Sequence, residues 1–444
     1  MMNDKYRLSR RVAVLAPLGL LSGCGVWDSW FGSTKAKLPG TRVAVMDTAR
    51  RLTPDITNAT VALPRPAANA DWPQAGGVAS HDMEHPALAP SIAPAWSADI
   101  GAGGGYRRKI TAQPVVAGGR IFTMDSDAVI DAFDTARGER QWRFNTRGKN
   151  DGSANVGGGI AVDGTMLYAA TGRGDVLAVQ AATGKLAWRV NIGTAARSAP
   201  TIAEGKLFVP TIDYQLQALS AADGHKMWSY QASAAETLVL GVPAPAYAGG
   251  LVVAGFGSGD LVCLRASAGG VAWLDSLAAP RGRNSLVDLS SIRGRPVIRD
   301  GIVYTIGLGG LMVASDLRSG RRVWEREIAS TETPWVAGDW VFVLSDDRQL
   351  AAIRRADGLV GWATQLDMFR NMKAQTGPIH WVGPVLAGDR LVVAGSNGRA
   401  VSVSPYTGKI LGQIDLGGTP SMAPIVAGGT LYILTNDATL SALR

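Results

Sequence analysis

The chain has 444 residues, 46% of them hydrophobic, with 55 Gly, 13 Trp and only 18% charged residues. Many Gly-punctuated turns and few charged helices point to an all-β protein with a large core. The formal charge is +8, of which Lys5, Arg7, Arg10, Arg11 and Asp4 supply +3; the remaining +5 (8 − 3), without a basic run interleaved with aromatics, argues against a nucleic-acid partner.

The basic start leads into an apolar run over residues 12–21. That run is too short to span a bilayer and reads as a secretory leader. It closes on Leu21-Ser22-Gly23-Cys24, which resembles the bacterial lipobox. The resemblance implies that residues 1–23 are a lipoprotein signal peptide and that Cys24 is acylated. Gly25, rather than Asp, follows the Cys, which points to the outer membrane. Each buried methylene of an acyl chain adds about 0.8 kcal/mol of membrane affinity, so several chains make a stable anchor.

Residues 24–70 contain Pro39, Pro54, Pro64 and Pro66 and no lasting apolar period. They are expected to form a lipidated tether and linker. The folded region is expected over 71–444, opening on Asp71-Trp72-Pro73-Gln74. His81 and His85 soon follow in His-Asp-Met-Glu-His, a spacing that suggests metal binding but offers no third ligand, so an ordinary loop is expected.

From Ala132 onward one pattern recurs: a small residue, Gly six positions on, and Trp ten positions on. The copies are Ala132-Gly138-Trp142, Ala178-Gly184-Trp188, Ala218-Gly224-Trp228, Cys263-Gly269-Trp273, Ala314-Gly320-Trp324 and Ala352-Gly358-Trp362. Ser402-Gly408-Gly412 lacks the Trp, and an eighth copy starts at Ala442, two residues before the last one given. Between the Trp positions, Gly-containing turns separate four short strands per unit. In one unit these fall near residues 159–162, 165–170, 176–179 and 186–189. Four strands at a period of about 40–50 residues are the sequence form of a propeller blade, and they leave no room for crossover helices.

In this pattern Gly supplies the positive φ of the turn into the outer strand, and the small residue leaves room for the indole to reach the next blade. Burying such a ring removes roughly 200 Å² from water, on the order of 5 kcal/mol gross. The small position held by Cys263 makes it a buried apolar side chain rather than a reactive thiol. After Gly412 only three strands remain, while Pro94-Ala95-Trp96-Ser97 matches the outer-strand pattern. An eight-bladed β-propeller of four-stranded blades is therefore expected. Its ring would be closed by an N-terminal strand carrying Trp96, paired with the C-terminal blade.

The unit Ala-x-Asp-x-x-x-Gly-x-x-x-Trp, as in Ala132–Trp142 and Ala314–Trp324, resembles the tryptophan-docking motif of quinoprotein-type propellers. With the lipobox and the Asp71–Gly77 stretch, residues 20–444 resemble the BamB family of outer-membrane β-barrel assembly lipoproteins. The resemblance implies a non-enzymatic scaffold without a cofactor, on the periplasmic face of the outer membrane. Its implied partners are the periplasmic domains of the central β-barrel assembly subunit, other assembly lipoproteins and nascent outer-membrane proteins.

It also implies a partner surface on the connectors of blades three to five. The family's Leu-x-Leu-Arg matches Leu238-Val239-Leu240-Gly241, with Gly241 in the Arg place. An acidic pair in the next connector falls on Ser291 and Arg293, with Asp288 nearby. Leu238, Leu240, Asp288 and Arg293 are thus the candidate partner-binding residues. Two other readings share the fold: a scaffold lipoprotein of another envelope complex, and a quinone-cofactor dehydrogenase. The dehydrogenases' adjacent-cysteine disulfide is impossible with one Cys besides Cys24, and their long insertions are missing.

Overall fold

A computed structural model describes residues 51–105, 108–148, 155–234, 242–278 and 291–444. Every regular element among them is a β-strand, and the strands form eight four-stranded antiparallel sheets plus a two-stranded hairpin, Phe369–Asn371 with Thr376–Pro378. The sheets are the blades of a ring. In blade one, Val115–Ala117 lines the channel, Arg120–Met124 and Val129–Asp134 follow, and Arg140–Asn145 lies outermost. Blade two repeats this with Gly158–Asp163, Met166–Thr171, Asp175–Gln180 and Leu186–Asn191, close to the strands expected from its turns.

The eighth sheet draws on both ends of the propeller. Ile425–Ala427, Thr430–Leu434 and Thr439–Leu443 are its first three strands, and Pro94–Asp99 is its outermost. Trp96 stands opposite Ala442, and Ala93 and Arg444 exchange backbone hydrogen bonds of 2.6 and 2.9 Å. Pairing the two ends removes the open edge that each would otherwise present.

Register explains the repeated residues. Phe122, Ala132 and Trp142 face one another across three adjacent strands. The small Ala132 lets the Phe122 and Trp142 rings lean over it to a centroid separation of 5.8 Å. Tyr168 with Trp188, Phe208 with Trp228, Tyr304 with Trp324, Phe342 with Trp362 and Tyr432 with Trp96 repeat the contact. Blade four has Val253, Cys263 and Trp273 in register, and Cys263 is fully buried. Just past the small residue, the pairing of third and outer strands slips by one residue, as at Ala132/Phe133. Such a bulge increases twist and tilts the outer strand toward its neighbour.

Each indole then crosses to the next blade. A β-carbon on Gly184 would lie 2.7 Å from Trp142 Cε3, and Trp142 Nε1 donates to Ala181 O at 3.0 Å. Trp188, Trp228, Trp273, Trp324 and Trp362 make the same pair of contacts with Gly224, Gly269, Gly320, Gly358 and Gly408. Gly at this position thus serves twice: its φ is +70° at Gly184, and the space of its missing side chain is filled by an indole from the preceding blade. Blade seven differs. Gly412 has open space around it, and no turn joins the third and outer strands of blade eight, so no docking glycine faces it. The seam between these two blades is closed instead by Val385, Val392, Ala394, Val426, Leu431 and Leu443.

The folded region begins before the boundary that composition suggests. Leu52 N–H donates to Gln349 Oε1, Asp55 N–H donates to Val360 O, and Val61 is buried against blade six. Residues 51–70 therefore pack on the propeller rather than forming a free linker. Their apolar residues show no period because this stretch contains no helix or regular strand.

Residues 69–93 form a girdle inside one end of the ring. Gly428 donates to Asn69 O, Trp72 and Val116 exchange hydrogen bonds of 2.8 and 2.9 Å, and Val162 donates to Pro73 O. The Gln74 side chain brackets Ile202, accepting from its N–H and donating to its carbonyl. Tyr247 donates to Ala79 O, Ile298 to Ser80 O, the Trp335 indole to Glu84 O and Gly388 to Pro86 O. In order these touch blades eight, one, two, three, four, five, six and seven. One segment thus satisfies inner-strand polar groups all the way round, groups that would otherwise be buried without partners.

Candidate functional site

Two features of the ring lie where propeller loops carry function: the connectors from each outer strand to the next inner strand, and the central cavity that those connectors surround. The cavity has a volume of about 760 Å³ and is lined by residues from all eight blades, mostly on the connectors and, in blade seven, on the inner strand Trp381–Ala387. Its floor is the girdle, through Trp72, Ala75, Gly76 and His81. Trp72 stacks on Trp335 with centroids 6.2 Å apart.

Of the partner-binding candidates, Leu238, Leu240 and Asp288 lie outside the described residues, as does Cys24. Arg293 is described: it is exposed and lines the cavity, as do Val242 and Pro243 of the preceding connector. Ser291 is fully buried, its carbonyl accepting from Leu308 N–H. Burial shows why Ser suits this position, since an acidic side chain here would be cut off from water.

The connector entering blade five is pinned to the next one. A β-carbon on Gly294 would lie 2.4 Å from Glu332 O, and Arg295 N–H donates to Thr333 Oγ1 at 3.1 Å. Glu332 reaches the other way, accepting from Gly383 N–H of blade seven at 2.9 Å. Its carboxyl is pushed up to about 7: burial outweighs the Gly383 hydrogen bond and the charges of Arg293 and Arg295. Arg295 is lowered to about 10 by burial, which the nearby Glu332 only partly offsets. Burial also lowers Arg197, which donates to Val156 O at 2.8 Å.

His81 is lowered to about 3 by burial, with Arg295 adding to the effect. Its Nδ1 is 2.7 Å from Pro296 O, and His85 Nδ1 is 2.8 Å from Pro64 O. His85 Nε2 accepts from Asp389 N–H. The two histidines are thus spent on fastening the girdle to blades five and seven. Among the described residues no three His, Cys, Asp or Glu side chains converge to hold a metal ion. Burial pushes the Cys263 thiol up to about 12, far from a nucleophile's range.

The wall of the cavity is rich in cations: Lys109, Arg197, Arg293 and Arg295 line it with the one carboxylate Glu332. Arg197, Arg295 and Glu332 escape a motif search, but a signal exists. They lie just before prolines that open inner strands, in Arg-Ser-Ala-Pro, Arg-Gly-Arg-Pro and Glu-Thr-Pro.

The profile of the family described as "Outer membrane protein assembly factor BamB" matches residues 126–364 and 367–444. The chain belongs to the BamB family. A BamB of Yersinia pestis is 27% identical over 355 residues, covering 78% of this chain and 87% of the relative. The BamB of Shewanella oneidensis is 28% identical over 359 residues, 78% of this chain and 88% of its own. Among solved structures, BamB from Moraxella catarrhalis superposes with a TM-score of 0.68 at 19% identity, over 80% of this chain and all of that one. Quinohemoprotein alcohol dehydrogenase from Comamonas testosteroni gives 0.65 at 15% identity, over 85% and 81%. At such identities these structural likenesses speak for the fold alone, and the family assignment rests on the profile match.

Proposed function

We propose that this member of the BamB family of outer-membrane assembly factors is a non-enzymatic scaffold of the β-barrel assembly machinery. It is tethered by lipid on Cys24 at the periplasmic face of the outer membrane. The connectors entering blades four and five hold the periplasmic domains of the central assembly subunit, and the rigid ring sets their position while β-barrel proteins are inserted. Leu238 and Leu240 supply the apolar anchor, and Asp288 and Arg293 supply polar contacts at its rim.

The observation that carries this reading is the family match over most of the propeller, together with the exposed Arg293, which lines the same cavity as Val242 of the preceding connector. The test replaces Leu238 and Leu240 by Asp in the full-length protein, followed by crosslinking and co-purification from membranes. Recovery of the central assembly subunit is expected to fall by about tenfold or more, the usual consequence of charging a buried anchor. Undiminished recovery removes the two leucines from the interface. If no assembly subunit is recovered even with the unaltered protein, the scaffold serves a different envelope complex.

A further inference from the structure

The cavity wall carries four cations, Lys109, Arg197, Arg293 and Arg295, against one carboxylate, Glu332. Concave, low-dielectric walls concentrate the field of such a set and attract anions. Arg293 and Arg295 flank a bend at Gly294, and both line the cavity. Gly294 between them packs back against Glu332 O. Among the described residues no hydrogen bond or ion pair engages the Arg293 or Arg295 guanidinium, and both side chains line the cavity, Arg295 half-buried. A guanidinium offers five donors in a fork matched to paired oxygens, so two unpaired guanidinium groups on one cavity wall are ready partners for an oxyanion.

The girdle makes the cavity blind at that end. Trp72, Ala75, Gly76 and His81 form the floor, and the exposed Lys109 and Arg293 also line the wall. A volume of about 760 Å³ suits a small molecule.

We propose that this blind cavity binds a small multivalent oxyanion, bearing phosphate or carboxylate groups, gripped by the Arg295 and Arg293 guanidinium groups. Arg197 and Lys109 add field, and Glu332 competes with the ligand for the same two arginines. The site shares Arg293 with the proposed partner surface but does not call on Leu238 or Leu240, so the leucine substitutions and the anion titration test the two readings separately.

The test is calorimetric titration of the full-length protein with two probes, pyrophosphate and citrate. Saturable one-to-one binding is expected for at least one of them, and which one binds assigns phosphate or carboxylate chemistry. Arg295→Met is expected to weaken it about tenfold or more, as loss of a charge-assisted pair does. Arg293→Gln should weaken it less, and Glu332→Gln should tighten it, since the Gln amide oxygen still accepts from Gly383 while the competing charge is gone. The proposal is overturned if neither probe binds saturably, or if binding is indifferent to Arg293→Gln and Glu332→Gln. These two variants decide the matter even if Arg295→Met fails to fold by circular dichroism.

Discussion

Trp96 lies across Gly138 of blade one: a β-carbon there would be 2.4 Å from the indole Cε3, and Trp96 Nε1 donates to Thr135 O at 3.0 Å. The relationship joins a strand that precedes every covalent blade to the first full repeat. It is the same contact that Trp142 makes with Gly184, so Ala at a docking glycine must both strain the backbone and displace a ring. Gly184→Ala is expected to cost about 2–4 kcal/mol. Gly205 has a φ of +70° but open space around it, and Gly205→Ala is expected to cost only about 1–2 kcal/mol. Urea unfolding of the two variants checks the difference; equal losses would show that the indole plays no part.

Deleting residues 92–101 removes the outer strand of blade eight, strips Thr439–Leu443 of its partner and leaves Gly138 uncovered. The thermal midpoint is expected to fall by on the order of 5–10 °C. Differential scanning calorimetry is the measurement, and an unaltered midpoint would mean that ring closure contributes nothing to stability.

His85 links Pro64 O and Asp389 N–H from a site almost without solvent contact. His85→Ala leaves that carbonyl and that N–H without their partner and opens a cavity, with an expected loss of about 2–4 kcal/mol. Added Zn²⁺ is expected to leave the wild-type melting point unchanged, because the ring nitrogens of His85 are already engaged. A zinc-dependent rise would contradict the girdle role.

Glu332 gives the cavity a pH dependence. Its folded carboxyl holds a proton up to about 7, whereas a glutamate in water loses its proton near 4.5. Between those values the native state binds more protons than the unfolded one, so this group's contribution to stability falls as pH rises from about 4.5 to 7. Arg293, Arg295 and Asp346 are the charged groups that act on it, and Gly383 N–H is its hydrogen-bond donor. Relative to wild type, Glu332→Gln is expected to gain about 1–3 kcal/mol between pH 5 and pH 8, read from urea midpoints. Parallel pH profiles for the two proteins would show that the carboxyl titrates normally.

Much of the propeller was legible residue by residue. The Ala132-Gly138-Trp142 spacing, the turns of blade two and the surplus strand at Trp96 are local signals, each contained in one or two hairpins. The same reading placed Cys263 as a small buried residue. It missed the packing of residues 51–70, because Leu52, Ile56 and Val61 meet blades five and six at irregular intervals. It also took His81 and His85 for parts of an ordinary loop, when each fastens the girdle to a separate blade.

The sequence by itself determined what repeats: strands of period two, turns that need glycine, and an indole that needs a small neighbour and a missing β-carbon. These interactions join residues a few tens of positions apart, so their spacing is written in the chain. Only the tertiary structure decided the girdle and the cavity. Gln74 meets Ile202, Glu84 meets Trp335, and Arg295, Glu332 and Gly383 converge from three blades. Closing the ring brings one connector from every blade to a common axis, and it is this shared geometry, not any local pattern, that turns scattered arginines into a single charged wall.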